Sequence, residues 1–429
     1  SSSILVSGSW DNNSVFNKGT SVVNFTSAAT DTIDSTGATT SDFNNIIFNN
    51  SAGQWTLGSN LVLAGNLDIN NGTLKNGGYS ITGASSQTFS MANSSSALFE
   101  MSGTSSYPAS FTTYTYGANS TVSYLQTNGL TITNATYGNL NLKPAGSTPL
   151  VLPASLGNIA GNLTIGDGTN AGATGLANSP DFSIAGILTI ANEATFATGG
   201  GTITLTNANP ISMTGTAVLN ATAGNTIAFV PDQASGNVTV PAKAYYNVRF
   251  NKASNNFIVS GGTFVANNNL TVIAGTLDLN TNDPVTTVHG ITTIGGTLDA
   301  SSANPLTIKG HFINDGTFNH NNGDVTIAPI PGGTNNLPTL INIIGTSNTT
   351  FFNLTDTTIG HRLNFKAGNT YTINGGIDFS GIPALPLRIG STINGSQWFI
   401  TFSNTNNGTM SFVDISDAGC TASQPFSGT

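Results

Sequence analysis

The sequence predicts an all-β chain wound as a right-handed parallel β-solenoid. Three observations carry that expectation: a composition foreign to helices, short runs of alternating apolar and polar residues, and a motif that returns at fixed spacing. Only 10 Lys+Arg and 19 Asp+Glu occur in 429 residues, 7% of the chain, against about 25% in a typical soluble domain. Glu occurs only at Glu100 and Glu193, and 50 residues are Gly. Helices draw on Glu, Lys, Leu, Ala and Arg, whereas Thr, Val, Ile and aromatic residues fit a pleated, half-buried strand. With 38% apolar residues, the chain does not fit disorder, whose mark is low hydrophobicity with high net charge.

Taken in order, the chain opens on Gly8-Ser9-Trp10-Asp11-Asn12-Asn13-Ser14-Val15-Phe16, a stretch that returns in altered form as Gly310-His311-Phe312-Ile313-Asn314-Asp315-Gly316-Thr317-Phe318. Between them an aromatic, any residue, Asn and an aliphatic recur: Phe43 with Asn45, Tyr137 with Asn139, Tyr245 with Asn247, and, beyond, Phe351 with Asn353. A second anchor follows each, ending on Leu67, Leu163, Leu270 and Ile377, at offsets of 22, 24, 23 and 24 from the Asn. Such offsets give a coil of 22–24 residues inside modules of roughly 100 residues. The modules are expected at 1–97, 98–208, 209–309 and 310–400, with 401–429 as a terminal coil or extension of one continuous solenoid.

Within a module the pattern is strand, turn, strand. Leu61 to Leu74 alternates apolar and polar residues and breaks at Asn71-Gly72, and Leu270 to Leu279 does the same around Gly275, so each strand has one buried and one wet face. Gly and Asn every few residues suit corners that need positive φ. Tandem β-sandwich domains are the alternative, with about seven strands per 100 residues; the coil-length period favours the solenoid. At ~23 residues per coil and ~4.8 Å between strands, the chain would form roughly 19 coils stacked over about 90 Å.

The run from Phe43 to Gly83, with Phe43-Asn44-Asn45-Ile46, Leu61-Val62-Leu63-Ala64-Gly65-Asn66-Leu67-Asp68-Ile69, Gly72-Thr73-Leu74 and Tyr79-Ser80-Ile81-Thr82-Gly83, resembles the repeats of bacterial cell-surface and secreted proteins. The likeness is to filamentous-haemagglutinin-like or autotransporter-adhesin-like parallel β-helices. It is a repeat style and carries no catalytic signature. It implies an exported adhesin, fibre or surface-layer role, and a terminal coil around Phe412 to Cys420 that enters something further.

Few side chains offer chemistry. Asp31 with Asp34, Asp278 with Asp283, and Asp414 with Asp417 are the carboxylate pairs an acidic-polysaccharide enzyme would use, yet none has Arg or His beside it in a repeated frame; solvated turn Asp is the favoured reading. Lys243, Arg249 and Lys252 form the one local basic cluster and read as a solvated strand edge. His289, His311, His320 and His361 lack metal-ligand spacing. Calcium is the ion that the turns at Asp167 and Asp324 would take, although neither matches a calcium loop. Asn-x-Ser/Thr triplets occur as often as this composition makes them by chance. The motif aromatics Phe43, Tyr137, Tyr245 and Phe351 are expected in the core, with their Asn partners satisfying turn amides.

Ten basic residues cannot neutralise a phosphate track, which excludes nucleic acid as a partner. No run of 18 apolar residues crosses a bilayer as a helix. The opening Ser1-Ser2-Ser3 without Met suits an exported product, so the chain is placed outside the cell or on its surface. A single thiol, Cys420, would be bridged only to another chain or segment. The expected function is non-enzymatic: a rigid structural or adhesive protein that associates with copies of itself, end to end or laterally, into a fibre, sheath or layer, with surface glycans as further partners and no cofactor. The alternative is a polysaccharide-active β-helix enzyme or a phage tail-spike-like glycan binder, for which clustered acidic groups are in short supply.

Overall fold

The computed structural model describes residues 2–36, 42–127, 129–144, 148–169, 174–177, 180–329, 340–403 and 408–420. Among these the chain is all β and holds no helix, and its parallel strands stack in coils, about 18 turns in all. It divides into two compact units, one of Ser1–Thr206 with Pro210–Asn225, the other of Asn207–Asn209 with Thr226–Thr429. In the first, Ser3–Val6 lies on Val22–Phe25, then Asn45–Leu57, then Leu67–Lys75. In the second, Thr226–Phe229 lies on Asn247–Val259, then Leu270–Asp278, then Thr292–Ile294. The one antiparallel contact among the described residues is the single bridge between Ile382 and Leu385. Parallel pairing on this scale excludes the tandem sandwich, whose sheets are antiparallel.

Alternation dictates the packing. Val23, Phe25, Ile46, Phe48, Leu67 and Ile69 point inward and are fully buried, while the residues between them face outward. Register then stacks like on like: the Phe25 and Phe48 rings lie 5.3 Å apart at 21°, and Phe229 and Phe250 in the second unit 5.2 Å apart at 13°. Trp55 and Phe257 close the same cluster in the two units, 5.0 Å from Phe48 and 5.1 Å from Phe250. Both units therefore carry the same module, a 13-residue strand bent over a 9-residue one. The bend forces Gly72 and Gly275 to positive φ, and a Cβ on either would sit 2.4 Å from a carbonyl oxygen of the coil before.

The recurring Asn explains the second anchor. Asn45 Oδ1 accepts the Asn66 N–H at 2.8 Å, Asn139 Oδ1 the Asn162 N–H at 2.8 Å, Asn247 Oδ1 the Asn269 N–H at 3.3 Å, and Asn353 Oδ1 the Gly376 N–H at 2.7 Å. A corner amide of each following coil is thereby satisfied, as a partly buried N–H requires. The carboxamide also fills the space beside the next coil: a Cβ on Gly65, Gly161 or Gly375 would lie 2.2 Å from the oxygen of Asn45, Asn139 or Asn353. The aromatics Phe43, Tyr137, Tyr245 and Phe351 are all fully buried in the core. Buried hydroxyls need partners, and Tyr137 donates to the Thr133 carbonyl at 2.6 Å and Tyr245 to that of Pro241 at 2.8 Å.

Coil length is less regular than the motif. Leu270 stands on Thr292, 22 residues on, but Thr121 stands on Asn139, 18 on, and Thr370 on Phe399, 29 on. From Leu340 each coil lays one strand on each of three faces. Leu340–Ile344, Thr349–Phe351 and Asn353–Asp356 are followed by Arg362–Phe365, Thr370–Ile373 and Ile377–Ser380, then by Leu387–Ser391, Trp398–Phe402 and Gly408–Ser411. Val413–Ile415 and Ala418–Cys420 lie on the last of these coils.

Candidate functional site

The carboxylates picked out from sequence mostly cap corners. Asp278 accepts the Asn280 and Thr281 N–H groups at 2.9 and 2.8 Å and the Thr281 hydroxyl at 2.6 Å. Burial pushes its carboxyl up, but these bonds and one from Asn256 outweigh burial and hold it below the ordinary carboxylate range. Asp283 reaches to the next coil, accepting the Ser301 hydroxyl at 2.7 Å and the Ser302 and Ala303 N–H groups, which also lower it. Asp31 takes the Ser9 hydroxyl, Asp34 the Thr36 N–H and Asp417 the Gly395 N–H, while Asp414 is exposed on the closing coil. Asp167 accepts the Thr169 N–H at 2.9 Å in a local turn, and Asn170 lies outside the described residues. Lys243, Arg249 and Lys252 sit on or just before the bent strand Asn247–Val259.

The histidines part company. His311 occupies the corner column of Asn247 and Asn269, and its Nδ1 accepts the Asn342 N–H at 3.0 Å, as the Asn oxygens do in other coils. His361 is buried with Nε2 2.7 Å from the buried Asp356, the one contact of ion-pair length among the described residues. Burial raises the Asp356 carboxyl and the His361 bond opposes it. His289 lies one coil from Lys309, and burial followed by that cation lowers it. No group of three or more potential metal-ligating side chains occurs among the described residues. Cys420 ends a strand paired with Trp398–Phe402.

Sequence reasoning missed two features. The first is a groove of about 500 Å³ on the face carrying Asp324–Ile327, Asn353–Asp356 and Ile377–Ser380. Asp324 and Asp378 flank it two coils apart, roughly 10 Å along the stack at ~4.8 Å per coil. The corner rule shapes its floor: the Asn353 carboxamide occupies the side-chain space of Gly375, Gly376 follows, and the floor there is backbone where the preceding coil carries Phe352 and Asn353. Phe352 lines one side, its ring stacked on His320 at 5.8 Å and 27°. His320 is itself fixed, Nδ1 accepting the Asn322 N–H at 2.9 Å and Nε2 2.9 Å from the Asn374 amide, and burial lowers it. Asn353 donates to Asp324 at 2.7 Å and Thr409 to Asp378 at 3.0 Å.

The second feature is the unfinished core of the closing coil. Inward columns that hold Ile377 and Trp398 pass to Gly408 and Ala418 on that coil. The lost bulk leaves an apolar cavity of about 270 Å³ lined by Phe379, Ile389, Trp398, Ile400, Met410 and Ile415. Among the described residues no strand pairs with the outer edges of Gly408–Ser411, Val413–Ile415 and Ala418–Cys420. Exposed large apolar residues occur along the chain, among them Leu5 (71%) and Val15 (73%) on the opening coil and Phe412 and Ile415 on the closing one. No helix among the described residues is long and apolar enough to cross a membrane. Compared with family models, curated proteins and solved structures, the chain matches none.

Proposed function

We propose that this chain is a non-enzymatic, extracellular structural protein whose coil stack is continued by a second copy, the closing coil of one docking on the opening coil of the next. The observation that carries the reading is the open apolar cavity beneath strands whose outer edges have no partner among the described residues. An unpaired parallel edge is a template for another strand, and an unfilled core gains by burial, about 1.5–3 kcal/mol for each large apolar side chain covered. The opening coil offers such an edge on Ser3–Val6, with Leu5 exposed upon it. Contact between two different surfaces of the same molecule does not close on itself and propagates as a filament. With 7% charged residues little repulsion opposes the approach. That composition also supports a secreted or cell-surface location.

Negative-stain microscopy and sedimentation of the purified chain test the reading. The wild type is expected to form filaments that lengthen with concentration, and Ile415→Lys and Met410→Lys to leave single particles with unchanged circular dichroism. Single particles for the wild type at every concentration would sink the assembly. Cleavage of an acidic polysaccharide, abolished by Asp324→Asn or Asp378→Asn, would overturn the non-enzymatic assignment.

A further inference from the structure

We infer that the groove between Asp324 and Asp378 binds a neutral oligosaccharide. Four features point to that ligand class together. The aromatic ring of Phe352 is held in place by His320 and presents an apolar surface of the kind on which the C–H face of a sugar ring packs. Two carboxylates flank the groove, each with one oxygen engaged, Asp324 by Asn353 and Asp378 by Thr409. The remaining oxygen of each accepts from a ligand hydroxyl, and hydrogen bonds to a charged acceptor are shorter and stronger than neutral ones. The floor at Gly376 carries no side chain, so a flat ring approaches the backbone there closely. Finally, the described lining includes no Lys or Arg, so nothing offsets an anionic ligand, and two carboxylates repel one. They stand two coils apart along the stack and two residues apart along the strands, about 12 Å on the diagonal, a length that two to three linked pyranose rings span. The groove is thus fitted to hydroxyl-rich, uncharged chains and against uronates.

The site lies on an outward sheet face and reaches the closing strand at Gly408 and Thr409, but it is complete within one copy and needs no second one. Its test is calorimetric titration of the full chain with cellohexaose, chitohexaose, maltohexaose and hexagalacturonate. At least one neutral hexaose is expected to bind saturably, hexagalacturonate to give no heat, and Phe352→Ala and Asp378→Asn each to weaken binding at least tenfold with wild-type circular dichroism. Should Phe352→Ala fail to fold, Phe352→Leu, which keeps apolar bulk without the ring, replaces it. The inference is overturned if no neutral hexaose binds, if binding survives either substitution, or if the uronate binds as well. Filament formation is expected to be the same in these variants, so the two proposals fail separately.

Discussion

At position 45 one carboxamide both satisfies the Asn66 amide and excludes any side chain from position 65. The same coupling ties Asn139 to Gly161 and Asn353 to Gly375. Asn45→Ala is expected to cost about 1–3 kcal/mol by leaving a partly buried N–H without its acceptor. Gly65→Ala is expected to be worse than a typical surface change, because its methyl meets the Asn45 oxygen. The double variant should recover part of the summed loss, since removing the carboxamide relieves its 2.2 Å contact, while the Asn44 carbonyl oxygen still stands 2.7 Å from the methyl. Chemical denaturation of the four proteins measures that coupling, and simple additivity would refute the steric account.

Strands end where a side chain gathers the amides of the turn. Leu270–Asp278 stops at Asp278, whose carboxylate holds the Asn280 and Thr281 N–H groups. Because bonding in the folded state depresses this group below its unfolded value, its stabilisation is present above about pH 4 and fades as the pH falls through the folded value. Asp278→Asn should therefore be less stable than wild type near pH 6 and converge on it near pH 2, as thermal melts across that range would show. A gap that stays constant with pH would exclude an ionised cap.

Strand-level pattern was readable in advance because alternation and coil length are both local. Leu67, Leu163, Leu270 and Ile377 all fall one residue after the amide bound by the recurring Asn. What escaped the sequence is what stands side by side across coils. Thr287, Thr307, Thr326 and Thr355 form one outward column, yet their spacings are 20, 19 and 29. Unequal corners scramble the linear period. For the same reason Asp324, Phe352 and Asp378 show no motif, whereas the buried pair of Asp356 and His361 is local, five residues apart across one corner, and escaped because that spacing matches no recognised motif.

For the whole molecule, low charge means that stability rests on apolar burial and backbone pairing. The single pair of ion-pair length among the described residues, His361 with Asp356, is buried, where salt screens poorly. The unfolding midpoint is accordingly expected to move little between low salt and about 0.5 M sodium chloride, a range in which surface ion pairs are largely screened. A steep fall with salt would mean that exposed charges matter more than this fold allows. Chloride is the salt to use, since sulfate strengthens apolar burial on its own account.

The uneven corners have an engineering consequence. After Gly381, whose N–H donates to the Ser411 carbonyl, Ile382 to Leu385 form an exposed tight turn closed by its own backbone bonds, linking Ile377–Ser380 to Leu387–Ser391 while both strands stay paired with those of the preceding coil. A foreign peptide spliced between Pro383 and Ala384 would be displayed away from the interior, so this bend is a natural place to graft an epitope or a label.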